Sequence, residues 1–441
     1  MKKKSKIVIF ILCVVLVLLV GVLVLSMKLG TSNNNSKTTN YGTNQKLSGT
    51  TITSGGNYDV EGDYSTITIN TSEAVQLNLK GANITSDNGP AINVVKAKEV
   101  SITVSGENTI TSTTTTDLDG AIYSKADLYL SGDGTLTIKS NIDGIVSKDS
   151  LVIESGTYII NSEDDGIRGK DSVLIKNGTF TITSGGDAIK STNDTDASLG
   201  YITIENGTFD INSSRDGIQA ETKLVINDGK FTIKTSGDNS EESYKGIKAG
   251  TSIEVNGGEF NLNTSDDSIH SNGNVTVNKG TFTIKSSDDG IHGDGLVEIN
   301  DGTMDITASE GIEGTFVKIN GGTIKISASD DGINAASKST DYSVTVEING
   351  GDITINMGQG DTDGIDSNGN LYINGGTVNI TGQSAFDYDG EAKYTGGKMI
   401  VNGEETTTIT NQMMGGGMIG GGPGGMQGGQ APNGNMRGRM R

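Results

Sequence analysis

Residues 278–300 read NKGTFTIKSSDDGIHGDGLVEIN, and the rest of the chain rhymes with them. Apolar residues alternate with polar ones in Phe282-Thr283-Ile284 and again in Val297-Glu298-Ile299. Alternation in short runs rich in Ile, Val, Thr and Phe is the mark of half-buried strands. The phrase Asp-Gly-Ile and its variants place an isoleucine at 122, 145, 167, 189, 218, 247, 269, 291, 312, 333 and 365. A second phrase, typically Ile-Asn-Gly-Gly-Thr, places a glycine at 156, 178, 207, 229, 258, 280, 302, 322, 351 and 376. The shortest spacings are 21 and 22 residues, with the glycine midway. A unit of that size with two fixed corners and three strand segments is one coil of a solenoid.

The fold expected is therefore all-β: a right-handed parallel β-helix of 12–13 coils. Ladders of Ile, Val and Phe would fill it, among them Phe180, Phe209, Phe231, Phe260 and Phe282. The 65 glycines suit its corners, and proline, which removes ladder hydrogen bonds, occurs only three times. A propeller needs blades of about 40 residues with aromatic signatures, and the chain has no Trp.

Outside the repeat, an apolar run within residues 7–28 follows Lys2, Lys3, Lys4 and Lys6. It reads as a single transmembrane anchor behind a basic cytoplasmic tail of residues 1–6, with the bulk of the chain extracellular. A cleaved signal, giving a secreted protein, is the alternative. Residues 29–49 read as a spacer, 50–411 as the β-helix domain, and 412–441 as a disordered tail of Gly and Met ending in Arg437, Arg439 and Arg441. The lone cysteine, Cys13, excludes a disulfide framework.

The net charge of −21 argues against a nucleic-acid partner and for cations. Much of it sits before the repeated Gly-Ile or its variants: Asp119, Asp143, Asp165, Asp216, Asp289, Asp331 and Asp363, with Asp187 and Asp267 in the same place before Ala188 and Ser268, often doubled as in Asp288 and Asp330. Further acids follow the isoleucine, among them Asp294 and Asp366. Asp-Gly is ordinary turn chemistry. Stacking carboxylates ~4.8 Å apart, however, costs roughly 3.5 kcal/mol per contact at an effective dielectric of 20. Relief comes from a bound cation or from shifted pKa values, and with all-oxygen donors the expected cation is Ca²⁺. The metal ligands expected are Asp143, Asp165, Asp187, Asp216, Asp267, Asp288, Asp289, Asp294, Asp330, Asp331, Asp363 and Asp366.

Insertions near 190–200, 235–245 and 334–343 all flank the Asp-Gly-Ile strand and bring Tyr201, Tyr244 and Tyr342. These tyrosines, with His270 and His292 one coil apart, are the candidate carbohydrate contacts, with loop packing and a hydrogen-bonded surface pair as the plainer roles. Arg168 and Arg215 adjoin the acidic column and would serve as the base if the protein were a lyase; ion pairing with neighbouring aspartates is the alternative.

Repeats such as Ser286-Ser287-Asp288-Asp289-Gly290-Ile291 and Ser327-Ala328-Ser329-Asp330-Asp331-Gly332-Ile333 resemble a bacterial family of carbohydrate-binding β-helix proteins. The resemblance implies a pectate-lyase-like fold, bound calcium, and recognition of cellulose-like or acidic polysaccharides. Lys245 and Glu310 replace the aspartate in two coils and interrupt the ladder. Three functions remain open: a monomeric, membrane-tethered, calcium-dependent polysaccharide binder without catalysis, a uronate-polymer lyase, and a calcium-stiffened surface rod.

Overall fold

The computed structural model describes residues 39, 41–114, 120–237, 242–360 and 362–412. The anchor of residues 7–28, Asp119 and most of the Gly/Met tail lie outside them. Among the described residues the structure is all-β, and no helix is long and apolar enough to cross a membrane.

The strands join into one long sheet, parallel except where Glu404–Thr406 turns back on Lys398–Val401 at the C-terminal edge. Each strand pairs with its counterpart one repeat away, which is consistent with the expected solenoid. One repeat shows the plan: Ile269–Ser271, then Asn274–Val277, then Thr281–Ser286. These three segments belong to three columns, called here the aspartate-flanked, outer and phenylalanine columns. The register is kept residue for residue, with Ile269 opposite Ile291, Val275 opposite Val297, and Phe260 opposite Phe282. Pairing begins earlier than expected: Asn44–Lys46, within the stretch read as spacer, pairs with Asn57–Asp59.

Inward residues of all three columns form one core, and the repeated isoleucines from Ile145 to Ile365 are fully buried. Burying each such side chain is worth about 1.5–3 kcal/mol. The five phenylalanines stack in line, with centroids 4.6–4.8 Å apart and planes within 5° of parallel. Tyr158 extends the stack at 5.2 Å from Phe180. Gly207 marks the corner entering this column. Its φ is +144°, and a Cβ there would lie 2.9 Å from the Phe209 ring, so only glycine fits.

An asparagine ladder fixes the same corner. Asn256, Asn278, Asn300, Asn320, Asn349 and Asn374 each donate from Nδ2 to Oδ1 of the asparagine one coil before, at 2.8–3.1 Å. The two corners on either side of the aspartate-flanked strand take the insertions: 235–245 precedes that strand, and 190–200 and 334–343 follow it.

Candidate functional site

At the acidic corner the repeated aspartate has two jobs. Its Oδ1 accepts the backbone N–H of the equivalent residue in the next coil: Asp165 onto Asp143, Asp187 onto Asp165, Asp216 onto Asp187 and Asp289 onto Asp267, at 2.9–3.1 Å. Lys245 and Asp363 donate in the same way to Asp216 and Asp331. The carboxylates are stacked because the backbone of each coil is tied to the side chain of the last. Asp143, Asp165, Asp187, Asp216, Asp267 and Asp289 are buried as a result.

The other oxygen, Oδ2, meets whatever follows the isoleucine. In register, that next column reads Val146, Arg168, Lys190, Gln219, Lys248, His270, His292, Glu313, Asn334, Asp366 and Asp387. It is cationic for the first half and acidic at the end. Arg168 is paired with Asp143 and lies 3.8 Å from Asp165. Lys190 Nζ lies 2.5 Å from Asp187 and 3.9 Å from Asp165. Lys248 reaches Asp216 at 3.5 Å, and Lys245 bridges Asp266 and Asp267 at 2.8 and 3.0 Å. His270 and His292 continue the series onto Asp267 and Asp289, each at 2.7 Å. From Arg168 to Lys248 the compensating cations are thus the chain's own side chains. Sequence reasoning missed Lys190, Lys245, Lys248 and Glu313 as members of the site, although their constant position beside Gly-Ile marked them.

Toward the C-terminal end the compensation stops. Among the described residues Asp330, Asp331 and Asp366 form no ion pair, and in the register Asn334 faces Asp366. Asn334 Nδ2 donates to Glu310 and Glu313, which turns its buried Oδ1 away without a hydrogen-bond partner. Burial, then the charge of neighbouring acids, pushes Asp331 up to about 7 and Asp366 up to about 6. Burial likewise raises Asp165 to about 7 and Asp289 to about 8, and it raises Asp288, Glu310 and Glu313. Asp267 is the exception. Burial pushes it up, but the His270 hydrogen bond and the charges of Lys245 and both histidines outweigh that and hold it well below the usual range. Asp330, Asp331, Asp363, Asp366 and the Asn334 amide oxygen offer oxygen donors alone, a chemistry that suits a hard cation, while the all-carboxylate groups whose oxygens lie within 4.8 Å of one another are Asp143, Asp164 and Asp165, and Asp266, Asp267 and Asp288.

The candidate sugar contacts separate. Tyr201 presents an exposed ring beside a 240 Å³ recess lined by Lys223 and Val225. Tyr244 packs against Gly237 in its own loop. The Tyr342 hydroxyl accepts from Asn274, and its ring meets Phe316 edge-on at 6.4 Å. His270 and His292 are adjacent, but tilted by 51° and engaged with carboxylates. Of the two arginines, Arg168 is held between aspartates, and the more exposed Arg215 pairs with Glu242 at 2.9 Å. A guanidinium held by carboxylates is kept protonated and is poorly placed to act as a base. A concavity of 560 Å³ lies elsewhere, at the asparagine corner among Asn256, Lys279, Asp301 and Thr323. It follows from glycines leaving that corner without side chains.

A family model described as "Carbohydrate-binding domain-containing protein" matches residues 47–290 and 288–418. No curated protein matches the chain. A solved structure of a polysaccharide lyase-like protein from C. thermocellum (a gadolinium derivative) aligns at 25% identity. The alignment covers 50% of this chain and 84% of that one at a TM-score of 0.39, too low to carry an argument.

Proposed function

The chain belongs to this family of carbohydrate-binding domain-containing proteins, and on that premise we propose that it is a calcium-dependent polysaccharide-binding protein, tethered at the cell surface, that performs no catalysis. The observation that carries the reading is the family match over residues 47–290 and 288–418, which takes in nearly all of the solenoid. We take the solenoid to be the right-handed parallel β-helix expected from its repeat, and residues 7–28 to be the anchor that places it outside the cell.

Calcium belongs, in this proposal, at the acid-only end. Asp143, Asp165, Asp187, Asp216 and Asp267 already meet protein cations, whereas Asp330, Asp331 and Asp366 form no ion pair among the described residues and lie with Asp363 on adjacent coils. A bound calcium ion would supply positive charge between protein carboxylates and the uronates of an acidic polymer, so that an acidic protein can hold an acidic ligand. In this proposal Tyr201, whose ring is exposed, stacks on a sugar face.

A screen of the protein against neutral and acidic polysaccharides, with calcium and with EDTA, tests the function. Binding to at least one polymer, weakened by EDTA, is expected. Absence of binding to every polymer would favour the rod. Unsaturated product absorbance from polygalacturonate would favour the lyase.

A further inference from the structure

The middle of the acidic column differs from both its ends. His270 and His292 are the only histidines in the chain, and they face each other from adjacent coils with ring centroids 4.6 Å apart. The ring nitrogens of His292 meet carboxylates on both sides. Nε2 lies 3.3 Å from Asp294 Oδ1, while Nδ1 lies 2.7 Å from Asp289 Oδ2, 3.1 Å from Glu313 Oε2 and 3.8 Å from Asp267 Oδ2. His270 repeats the pattern, with Nε2 3.0 Å from Asn272 Oδ1 and Nδ1 2.7 Å from Asp267 Oδ2.

A neutral imidazole carries one N–H. When the outer acceptors, Asp294 and Asn272, take it on Nε2, both Nδ1 lone pairs point at carboxylate oxygens, and a positive centre is needed between them. One N–H on Nδ1 satisfies one oxygen well, yet three oxygens surround the Nδ1 of His292. That is the arrangement of a coordination shell. With metal–ligand bonds of ~2.1 Å, neighbouring ligand atoms sit about 3.0 Å apart in an octahedron and about 3.4 Å apart in a tetrahedron, and the three separations bracket these values. Asp267, His270 and His292 bring ligand atoms within 4.8 Å of one another, and so do Asp289, His292 and Glu313.

We propose that this cluster binds one divalent transition-metal ion of the Zn²⁺, Co²⁺ or Mn²⁺ class, with His292 the ligand shared by its two groups, Asp267 with His270 and Asp289 with Glu313. Imidazole nitrogen selects these ions over calcium, so the site is distinct from the oxygen-only end of the column. Its outer partners are in place. Lys245 Nζ lies 3.0 Å from Asp267, Lys338 Nζ lies 2.7 Å from Glu313, and Asn334 Nδ2 donates to Glu313. The two ammonium groups and the ion together offset the clustered carboxylates, and the Nε2–H bonds to Asp294 and Asn272 orient the rings. Binding requires each Nδ1 to be free of its proton, so loading releases any proton held there.

The test uses the intact protein, stripped with chelator. Titration with Co²⁺ should give visible ligand-field absorption that saturates at one equivalent and persists in a large excess of Ca²⁺. With only two histidines in the chain, substoichiometric Mn²⁺ should broaden both imidazole C2–H proton resonances and few others. H270Q and H292Q should each weaken Co²⁺ binding by more than the roughly 10–100-fold that loss of an outer-shell partner costs. No saturable Co²⁺ spectrum, Mn²⁺ broadening that spares the imidazoles, or displacement by Ca²⁺ would overturn the proposal. Histidine resonances that titrate with pH but ignore Mn²⁺ would show an imidazolium ion pair only, which also overturns it. The two measurements on the unsubstituted protein do not depend on how well the variants fold.

Discussion

Raising the pH in EDTA should loosen the solenoid, because its buried aspartates hold protons that the unfolded chain gives up. Burial raises Asp165 and Asp331 to about 7, Asp289 to about 8 and Asp366 to about 6, each from an ordinary value of 3.8. An acid whose folded pKa is raised contributes stability that is complete below its unfolded pKa and is lost as pH climbs through the folded one. For the deeply buried Asp165 that contribution is about 4 kcal/mol, gone by about pH 7. Each such group tilts stability downward by about 1.4 kcal/mol per pH unit, roughly 5 for all four where all remain protonated in the fold. Asp267, held low, acts in the opposite sense only on the acid side of its ordinary value of 3.8, outside the window. The assay is the urea midpoint of the protein in EDTA between about pH 5 and pH 8. Midpoints should fall steadily, and calcium should restore much of the loss at the upper end, where Asp331 and Asp366 are ionised. A flat or rising profile in EDTA would refute the reasoning, since the buried acids would then be compensated by other means.

Other substitutions separate the parts. Phe231→Ala interrupts the ring stack between Phe209 and Phe260, at 4.7 and 4.8 Å, and should cost about 3–5 kcal/mol in chemical denaturation. Lys190→Met strips the cation from Asp187 and Asp165 and should cost about 3–5 kcal/mol near pH 8, and less near pH 5, where Asp165 is protonated. Tyr201→Ala should lower polysaccharide retention several-fold with little change in melting temperature, whereas Tyr342→Ala, which removes a ring packed on Phe316, should mainly lower the melting temperature.

The repeat made the fold legible, because a solenoid writes its register directly into residue spacing. Ile269 over Ile291 and Phe260 over Phe282 are pairs that a 22-residue period dictates without any long-range inference. The start of pairing at Asn44 was not legible, since Asn44–Lys46 is polar, exposed and without the repeat phrase. At the acidic corner the aspartates were visible, and of the lysine and arginine partners only Arg168 was. Stacked carboxylates pointed to an external cation, while Lys248 and Lys245 supply part of the charge from neighbouring coils and Lys190 supplies it three residues after Asp187. Contacts between residues about 20–30 positions apart appear only when the post-isoleucine position is itself followed from coil to coil. Read that way, the change from Arg168 and Lys190 through two histidines to Glu313, Asn334 and Asp366 divides the column into regions of different chemistry. Asn334 Oδ1 could not be singled out beforehand, because its orientation depends on Glu310 and Glu313 together.

Equilibrium binding of the intact protein to polygalacturonate, at fixed ionic strength and in calcium or EDTA, tests the proposed function most directly. Saturable binding that requires calcium, and that is lost when Asp331 and Asp366 are both replaced by Asn in a protein that still melts cooperatively, is expected. Equal binding in calcium and EDTA, or full binding by the doubly substituted protein, would contradict it.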